Sequence, residues 1–301
     1  MRPLSTILAL SMLYGPASAG ELSGTLKKIQ DENRIVLGVR DSAPPFSYIG
    51  NDGKIIGYTV EICDHIVNTI GKELNLPGIK VEMNSVTSST RIPLIANGTI
   101  DLECGSTTNT AERQRQVAFT NAHFVATSKF ASKKTQNIKN IDDLKGRSVV
   151  SVAGSVNIIQ LNKINSERNL NIRILTAKDV VEAFLLLESD RAAAFVMDDV
   201  QLSILIAQSK DPVAYTISDD TFAPPEPYGI MLRKGDAPFK AVVDKATADL
   251  YRSPDMAAIY AKWFESPVPP RGINYALPMP AALKRAFARP TDSTDPAAYQ
   301  P

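Results

Sequence analysis

Twice along this 301-residue chain, short runs rich in Val, Ile and Leu alternate with stretches of helical periodicity. The first series opens with RIVLGV at residues 34–39, a strand broken by Pro44-Pro45. From Thr59 the period changes, and Ile62, Cys63, Ile66, Val67 and Ile70 fall on one helical face. Further strands are expected at 81–83 and 100–103, with a short helix over 91–96 ended by Asn97-Gly98. The second series places strands at 147–152, 173–175 and 193–197. Helices are expected after the turn Ala153-Gly154-Ser155 and over 180–187. Strands separated by helices pair largely in parallel, with both faces of the sheet covered. The chain is long enough for two such cores. The expected class is therefore α/β.

Two stretches read as joints, residues 119–125 and 218–227, the latter with three prolines. After the second come a strand at 228–233 and helices over 239–251 and 255–263. A chain that leaves one lobe, builds a second and returns makes two linked lobes with a cleft between them. Residues 20–122 with 224–277 are expected to form lobe one, and 123–223 lobe two. The tail, 278–301, is rich in Pro, Ala, Asp and Thr and is expected to be partly disordered apart from a helix at 281–287.

The first residues read as an export signal: Arg2, an apolar stretch over 4–14, then Ala17-Ser18-Ala19, with cleavage expected after Ala19. Such a protein would enter an oxidising space, where Cys63 and Cys104 could form a disulfide or remain two buried thiols; spacing does not decide. With 33 basic and 32 acidic residues, the chain lacks the basic excess of a nucleic-acid binder. Two cysteines and two histidines leave little room for a structural zinc site, which takes about four such ligands. Phosphate loop, dinucleotide fingerprint and G-x-S-x-G are all missing from the sequence, so no cofactor and no catalysis are expected.

Polar residues cluster where strands end, which is where open α/β sheets bind ligands. Ser106, Thr107 and Thr108 follow a strand, and Asn109 with Glu112 has capping-box spacing ahead of Arg113. Helix N-termini with an arginine nearby hold anions. Taken alone, these residues read as an ordinary helix cap with a surface arginine. Asp198-Asp199 ends another strand and could hold an ammonium or simply cap a helix. Arg40 ends the first strand, and Arg91 follows Thr87-Ser88-Ser89-Thr90.

At these positions the sequence resembles a known family. Val39-Arg40-Asp41-Ser42, Pro45-Phe46-Ser47-Tyr48 and Gly57-Tyr58 resemble the start of periplasmic amino-acid-binding proteins of ABC transporters. Thr87-Ser88-Ser89-Thr90-Arg91, Glu103-Cys104-Gly105-Ser106-Thr107-Thr108-Asn109, Ala111-Glu112-Arg113 and Val196-Met197-Asp198-Asp199 resemble its glutamate/aspartate branch, as do Tyr228-Gly229 and Met231-Leu232-Arg233-Lys234. The likeness runs over about residues 26–287. It implies the two-lobed, type II periplasmic-binding-protein fold with two hinge strands, closing on one acidic L-amino acid for delivery to an ABC permease.

By motif match, Arg113 is implied to clamp the α-carboxylate, helped by Ser155, with Ser106 and Thr108 at the head group and Asp198 at the ammonium. Arg40, Arg91 and Ser88 are implied to hold the side-chain carboxylate. A histidine of the relatives is replaced by Val180, and their Gly-Thr-Thr is Gly154-Ser155-Val156 here, so glutamate and aspartate both stay open. The resemblance also implies a monomer without cofactor. A dehydratase on the same fold, similar to cyclohexadienyl dehydratases, is the alternative. It would need a positioned acid, for which Asp101 and Glu103 are the candidates, though both read better as structural.

Overall fold

The computed structural model describes residues 22–299, and the export signal expected over 1–19 lies outside them. Two five-stranded sheets carry the fold. In the first, Arg34–Val39 pairs in parallel with Lys80–Ser85 on one side and Leu102–Cys104 on the other. Met231–Arg233 and then Val117–Phe119 extend it antiparallel. The second sheet repeats the plan. Ser148–Val152 lies in parallel between Arg173–Ala177 and Ala194–Asp198, and Ser128–Lys133 and Tyr215–Ile217 follow antiparallel. The antiparallel side of each sheet is where the chain enters and leaves the lobe.

The lobes are joined where Phe124–Ala126 pairs antiparallel with Glu226–Tyr228. The single strand expected over 228–233 is thus two. It breaks at Gly229, whose N–H leaves both ladders to bond the Thr107 carbonyl at 3.0 Å. The strand Ser128–Lys133 was not legible, because its serines and lysines interrupt the apolar run around Phe130 and Ala131. Both faces of each sheet are covered by apolar clusters. The largest takes in the hinge residues Phe124, Ala126 and Tyr228, and also Val200 and Ile204 from the second lobe's helix Asp199–Gln208. Near the hinge, therefore, the lobes share apolar surface.

Helix Tyr58–Glu73 presents Ile62, Cys63, Ile66 and Ile70 to this core, all four fully buried. Cys63 is disulfide-bonded to Cys104, which resolves the alternative the sequence left open. The bridge ties the end of strand Leu102–Cys104, just before the Ser106–Thr108 loop, to the core helix. The tail carries the helix expected at 281–287 and departs from expectation only beyond it. Its helix, Ala281–Ala288, buries Leu283, Ala286 and Phe287, and Phe287 packs on Tyr251 with ring centroids 4.9 Å apart. A 3-10 turn, Pro296–Tyr299, follows and buries Tyr299. Composition suggested a loose tail, but a few large apolar residues at the right spacing anchor it. No helix among the described residues is long and apolar enough to cross a membrane.

His123, at the start of the hinge, is fully buried within the aromatic cluster of Phe46, Tyr58 and Tyr228. Neither ring nitrogen has a hydrogen-bond partner of ordinary geometry among the described residues. Burial pushes its pKa down to about 3, only partly offset by the backbone of Gly105 and of His123 itself.

Two predictions come from these features. The Cys63–Cys104 bridge closes a loop with a sequence separation of 41. By chain entropy such a loop is worth ~4 kcal/mol, and measured bridges contribute about 2–4 kcal/mol. Replacing both cysteines by alanine should lower Tm by roughly 5–15 °C, measured by calorimetry. For His123 the folded-state pKa lies below the unfolded one, so the native state binds fewer protons than the unfolded chain between those values. Its contribution is complete above about pH 6.5 and is lost as the pH falls toward 3. Between pH 6.5 and 5 this amounts to ~2 kcal/mol. Urea denaturation at the two pH values should lose that much more in the parent than in His123→Leu.

Candidate functional site

The two lobes meet over a small cavity of about 10 Å³, formed between the carboxyl ends of both sets of parallel strands. Lobe one contributes Arg40, Ser88, Arg91, Ser106 and Thr108 to its wall. Lobe two contributes Ser155, Val156, Asn157, Val180, Met197, Asp198 and Gln201. The room is that of about one water molecule. Any larger ligand requires the lobes to part first.

Three buried arginines dominate the lobe-one wall. Arg40 follows the strand Arg34–Val39, and its Nη1 donates to Ser88 Oγ at 3.3 Å. Arg91 is the first residue of the helix Arg91–Ala96. Its Nη1 donates to the Thr107 hydroxyl, which in turn donates to Glu103 Oε2 at 2.5 Å. The Arg91 guanidinium lies 3.7 Å from Glu103 Oε1. Arg113 sits at the cavity's edge. Its Nη1 donates to the Thr108 carbonyl at 2.8 Å and its Nη2 crosses the cleft to the Gly154 carbonyl at 3.0 Å. Burial lowers the pKa of Arg40 to about 10 and that of Arg113 to about 9, and the like charge of Arg91 adds to both shifts. Both remain cations at neutral pH, held in a place that disfavours charge.

Lobe two supplies the opposite charge. Asp198 ends the strand Ala194–Asp198 and is buried. Its Oδ1 accepts from Asn157 Nδ2 at 2.8 Å, and its Oδ2 accepts from the Tyr228 hydroxyl of the hinge. Burial raises its pKa, and the two hydrogen bonds oppose that shift. Asp199 is occupied elsewhere, accepting from the N–H groups of Thr127 and Val200. Of the two aspartates, one therefore serves the local backbone and the other faces the cleft.

Eight of the nine residues marked in the sequence line the cavity, and the ninth, Arg113, sits at its edge. Several of their local roles differ from expectation. Thr110, not Asn109, caps the short helix Ala111–Gln114, accepting from Arg113 N at 3.2 Å. The Asn109 side chain turns away and donates to the Asp292 carbonyl of the tail. The Ser155 hydroxyl accepts from Ile158 N at 3.2 Å, capping Val156–Glu167, and donates to the Val152 carbonyl at 2.7 Å. Val180 opens the helix Val180–Glu188, whose cap is Asp179, and offers the cavity an apolar side chain.

Sequence reasoning missed Asn157, Gln201, Thr107 and Tyr228 as members of the site. Gln201 Nε2 crosses the cleft to Ser106 Oγ at 3.2 Å, while its Oε1 has no partner among the described residues. Glu103 was read as structural; it is fully buried and serves as the counter-charge of the arginine wall. A carboxylate two residues before Gly105 at a strand end was the available signal.

Gly154 sits against the opposite lobe, facing the backbone of Ser88 and Ser89. Its φ is +73°, and a Cβ there would lie 2.8 Å from the backbone of Ser88 and Ser89. Only glycine allows this turn to close against the opposite lobe.

The profile of the bacterial extracellular solute-binding proteins, family 3, matches residues 35–266. The "L-glutamate/L-aspartate-binding protein" of Pseudomonas aeruginosa is 49% identical over 96% of each chain. The "Glutamate/aspartate import solute-binding protein" of Escherichia coli is 40% identical over 97% of each. Among solved structures, an ancestral amino acid-binding protein titled a precursor of cyclohexadienyl dehydratase superposes with a TM-score of 0.68 at 24% identity. That superposition covers 80% of this chain and 99% of the other, and it speaks to the fold alone. The two sheets of matching strand order, the cleft between them and these relatives place the chain among the bacterial extracellular solute-binding proteins of family 3.

Proposed function

We propose that the protein captures an acidic L-amino acid, glutamate or aspartate, in the periplasm by lobe closure and delivers it to an ABC permease. The observation that carries this reading is the charge of the cleft wall. Its fully buried charged groups are Arg40, Arg91 and Arg113 against Glu103 and Asp198, an excess of one positive charge. A dicarboxylic amino acid carries one net negative charge, and its own ammonium needs an anion such as Asp198.

In this reading, Arg113 gives up its bonds to the carbonyls of Thr108 and Gly154 and takes the α-carboxylate as a two-pronged donor. Ser106, Thr108 and Ser155 complete the head-group contacts, and Asp198 takes the ammonium. Arg40 and Arg91, with Ser88, take the side-chain carboxylate, beside the apolar Val180. Bonds to charged groups contribute ~1.5–3 kcal/mol each. A few of them, net of ordering costs, reach the micromolar range, about −8 kcal/mol. Closure follows because only the closed form lets one ligand touch both walls.

Lobe one is residues 20–122 with 224–277, lobe two is 123–223, and the protein acts as a monomer without cofactor or nucleic acid. Export uses residues 1–19, with cleavage after Ala19. The dehydratase alternative lacks support at its two candidate acids. Asp101 accepts from Lys28 and from Val36 N, and Glu103 is committed to Thr107 and Arg91.

Calorimetric titration of ligand-stripped protein tests the assignment. L-Glutamate or L-aspartate should bind with micromolar or lower Kd. Arg113→Ala should abolish binding of every α-amino acid, whereas Arg91→Ala should mainly remove the preference for acidic ones. An Arg91→Ala variant that binds glutamate as tightly as the parent would refute the side-chain assignment.

A further inference from the structure

The chain after helix Ala281–Ala288 runs back over the hinge. Asp292 is the centre of this path. Its carbonyl oxygen accepts from Asn109 Nδ2 and Gln114 Nε2, both at 2.9 Å. One residue earlier, the Thr291 carbonyl accepts from Ala122 N at 2.9 Å, just ahead of hinge strand Phe124–Ala126. The Asp292 carboxylate lies 3.0 Å from Lys240 Nζ, which also donates to the Phe119 carbonyl at 2.9 Å. The turn Pro296–Tyr299 packs on the other hinge strand, Glu226–Tyr228. Tyr299 is 1% exposed, and its hydroxyl donates to the Ser293 carbonyl at 2.6 Å.

This segment therefore touches hinge strand Glu226–Tyr228, Ala122 just ahead of the other hinge strand, and the loop that carries Thr108 and Arg113. That loop is also laced to the hinge from within: Asn109 N donates to the Pro227 carbonyl at 2.8 Å, and Gly229 N to Thr107. Thr108 and Thr110, on either side of Asn109, hold Arg113 from within lobe one. The tail lies beyond residue 266, where the family match stops, so the shared two-lobed fold does not account for it.

We propose that residues 291–299 are a hinge strap. It is a positioning element that keeps the 107–114 segment and both hinge strands in register, so that Arg113 meets its ligand already ordered. A pre-ordered donor avoids the entropy of being immobilised on binding. Without the strap, this region opens locally more often while the sheets stay intact. The affinity consequence rests on the acidic amino-acid reading above; the mechanical one does not.

The test compares the parent with a chain stopped after Pro290, by amide hydrogen exchange without ligand and by calorimetry with L-glutamate. The N–H groups of Asn109, Ala122, His123 and Gly229 should exchange roughly tenfold faster or more, with Leu37 and Val150 in the sheet centres unchanged. Kd for glutamate should rise by about tenfold. The double variant Asn109→Ala/Gln114→Ala keeps the tail and removes its two donors to Asp292. It should shift exchange and Kd in the same direction, and it decides the matter if the shortened chain does not fold. A folded variant with a lower Tm but unchanged hinge exchange and unchanged Kd overturns the strap. If the parent itself binds no glutamate, the acidic amino-acid reading fails, and hinge exchange alone then supports or overturns the strap.

Discussion

Three guanidinium groups buried in one wall of a cleft are costly, and much of this structure exists to hold them there. Water is largely excluded, and the like charges of Arg40 and Arg113 around Arg91 raise the cost further. Glu103 meets part of it through Thr107 and its approach to Arg91. Ser88 and the Thr108 and Gly154 carbonyls supply neutral partners for the others. The remaining excess of one positive charge is what the one net negative charge of a bound acidic amino acid would neutralise. Complementarity to an acidic zwitterion thus arises from incomplete compensation inside the protein rather than from any single contact.

Holding such a wall demands a rigid frame. The Cys63–Cys104 bridge and the helix Tyr58–Glu73 fix the strand end that leads into Ser106–Thr108. The hinge is set in aromatic packing: Phe124 lies 5.1 Å from Phe46 and 5.3 Å from Phe264, centroid to centroid. Several polar contacts cross between the lobes, among them Arg113 to Gly154, Gln201 to Ser106 and Tyr228 to Asp198. Each pairs a group that a ligand could also use. Opening therefore exposes donors and acceptors to water at modest net cost, since hydrogen bonds made in the closed form are exchanged for bonds to solvent. This is the balance a two-state closing protein needs.

Much of this was legible in the sequence. The alternation of apolar runs with helical periods gave both parallel sheet halves, because the central strands Arg34–Val39, Ser148–Val152 and Ala194–Asp198 are buried almost throughout and read as apolar runs. The antiparallel strands were harder. Ser128–Lys133 mixes lysine and serine with Phe130, and residues 228–233 hide a break that only the Gly229 bond to Thr107 explains. Site residues at strand ends stood out because arginine and aspartate there have no need to be buried. Asn157, Gln201 and Tyr228 did not, since their roles depend on contacts between segments distant in the chain: Asn157 is 41 residues from Asp198, and Gln201 is 95 from Ser106. The tail was misjudged for the same reason. Its composition looks unstructured, and its order comes from partners as far back as Asn109.

The central claim is that the cleft selects its ligand by the charge of the side chain. L-Glutamate and L-glutamine have nearly the same shape and differ by that charge. Calorimetric titration of the ligand-stripped protein with both is the most direct test. Loss of two charged contacts at Arg40 and Arg91 should weaken glutamine at least about a hundredfold relative to glutamate. Equal affinities for the two would mean that the arginine wall does not read the side-chain carboxylate, and the charge-based account would be wrong.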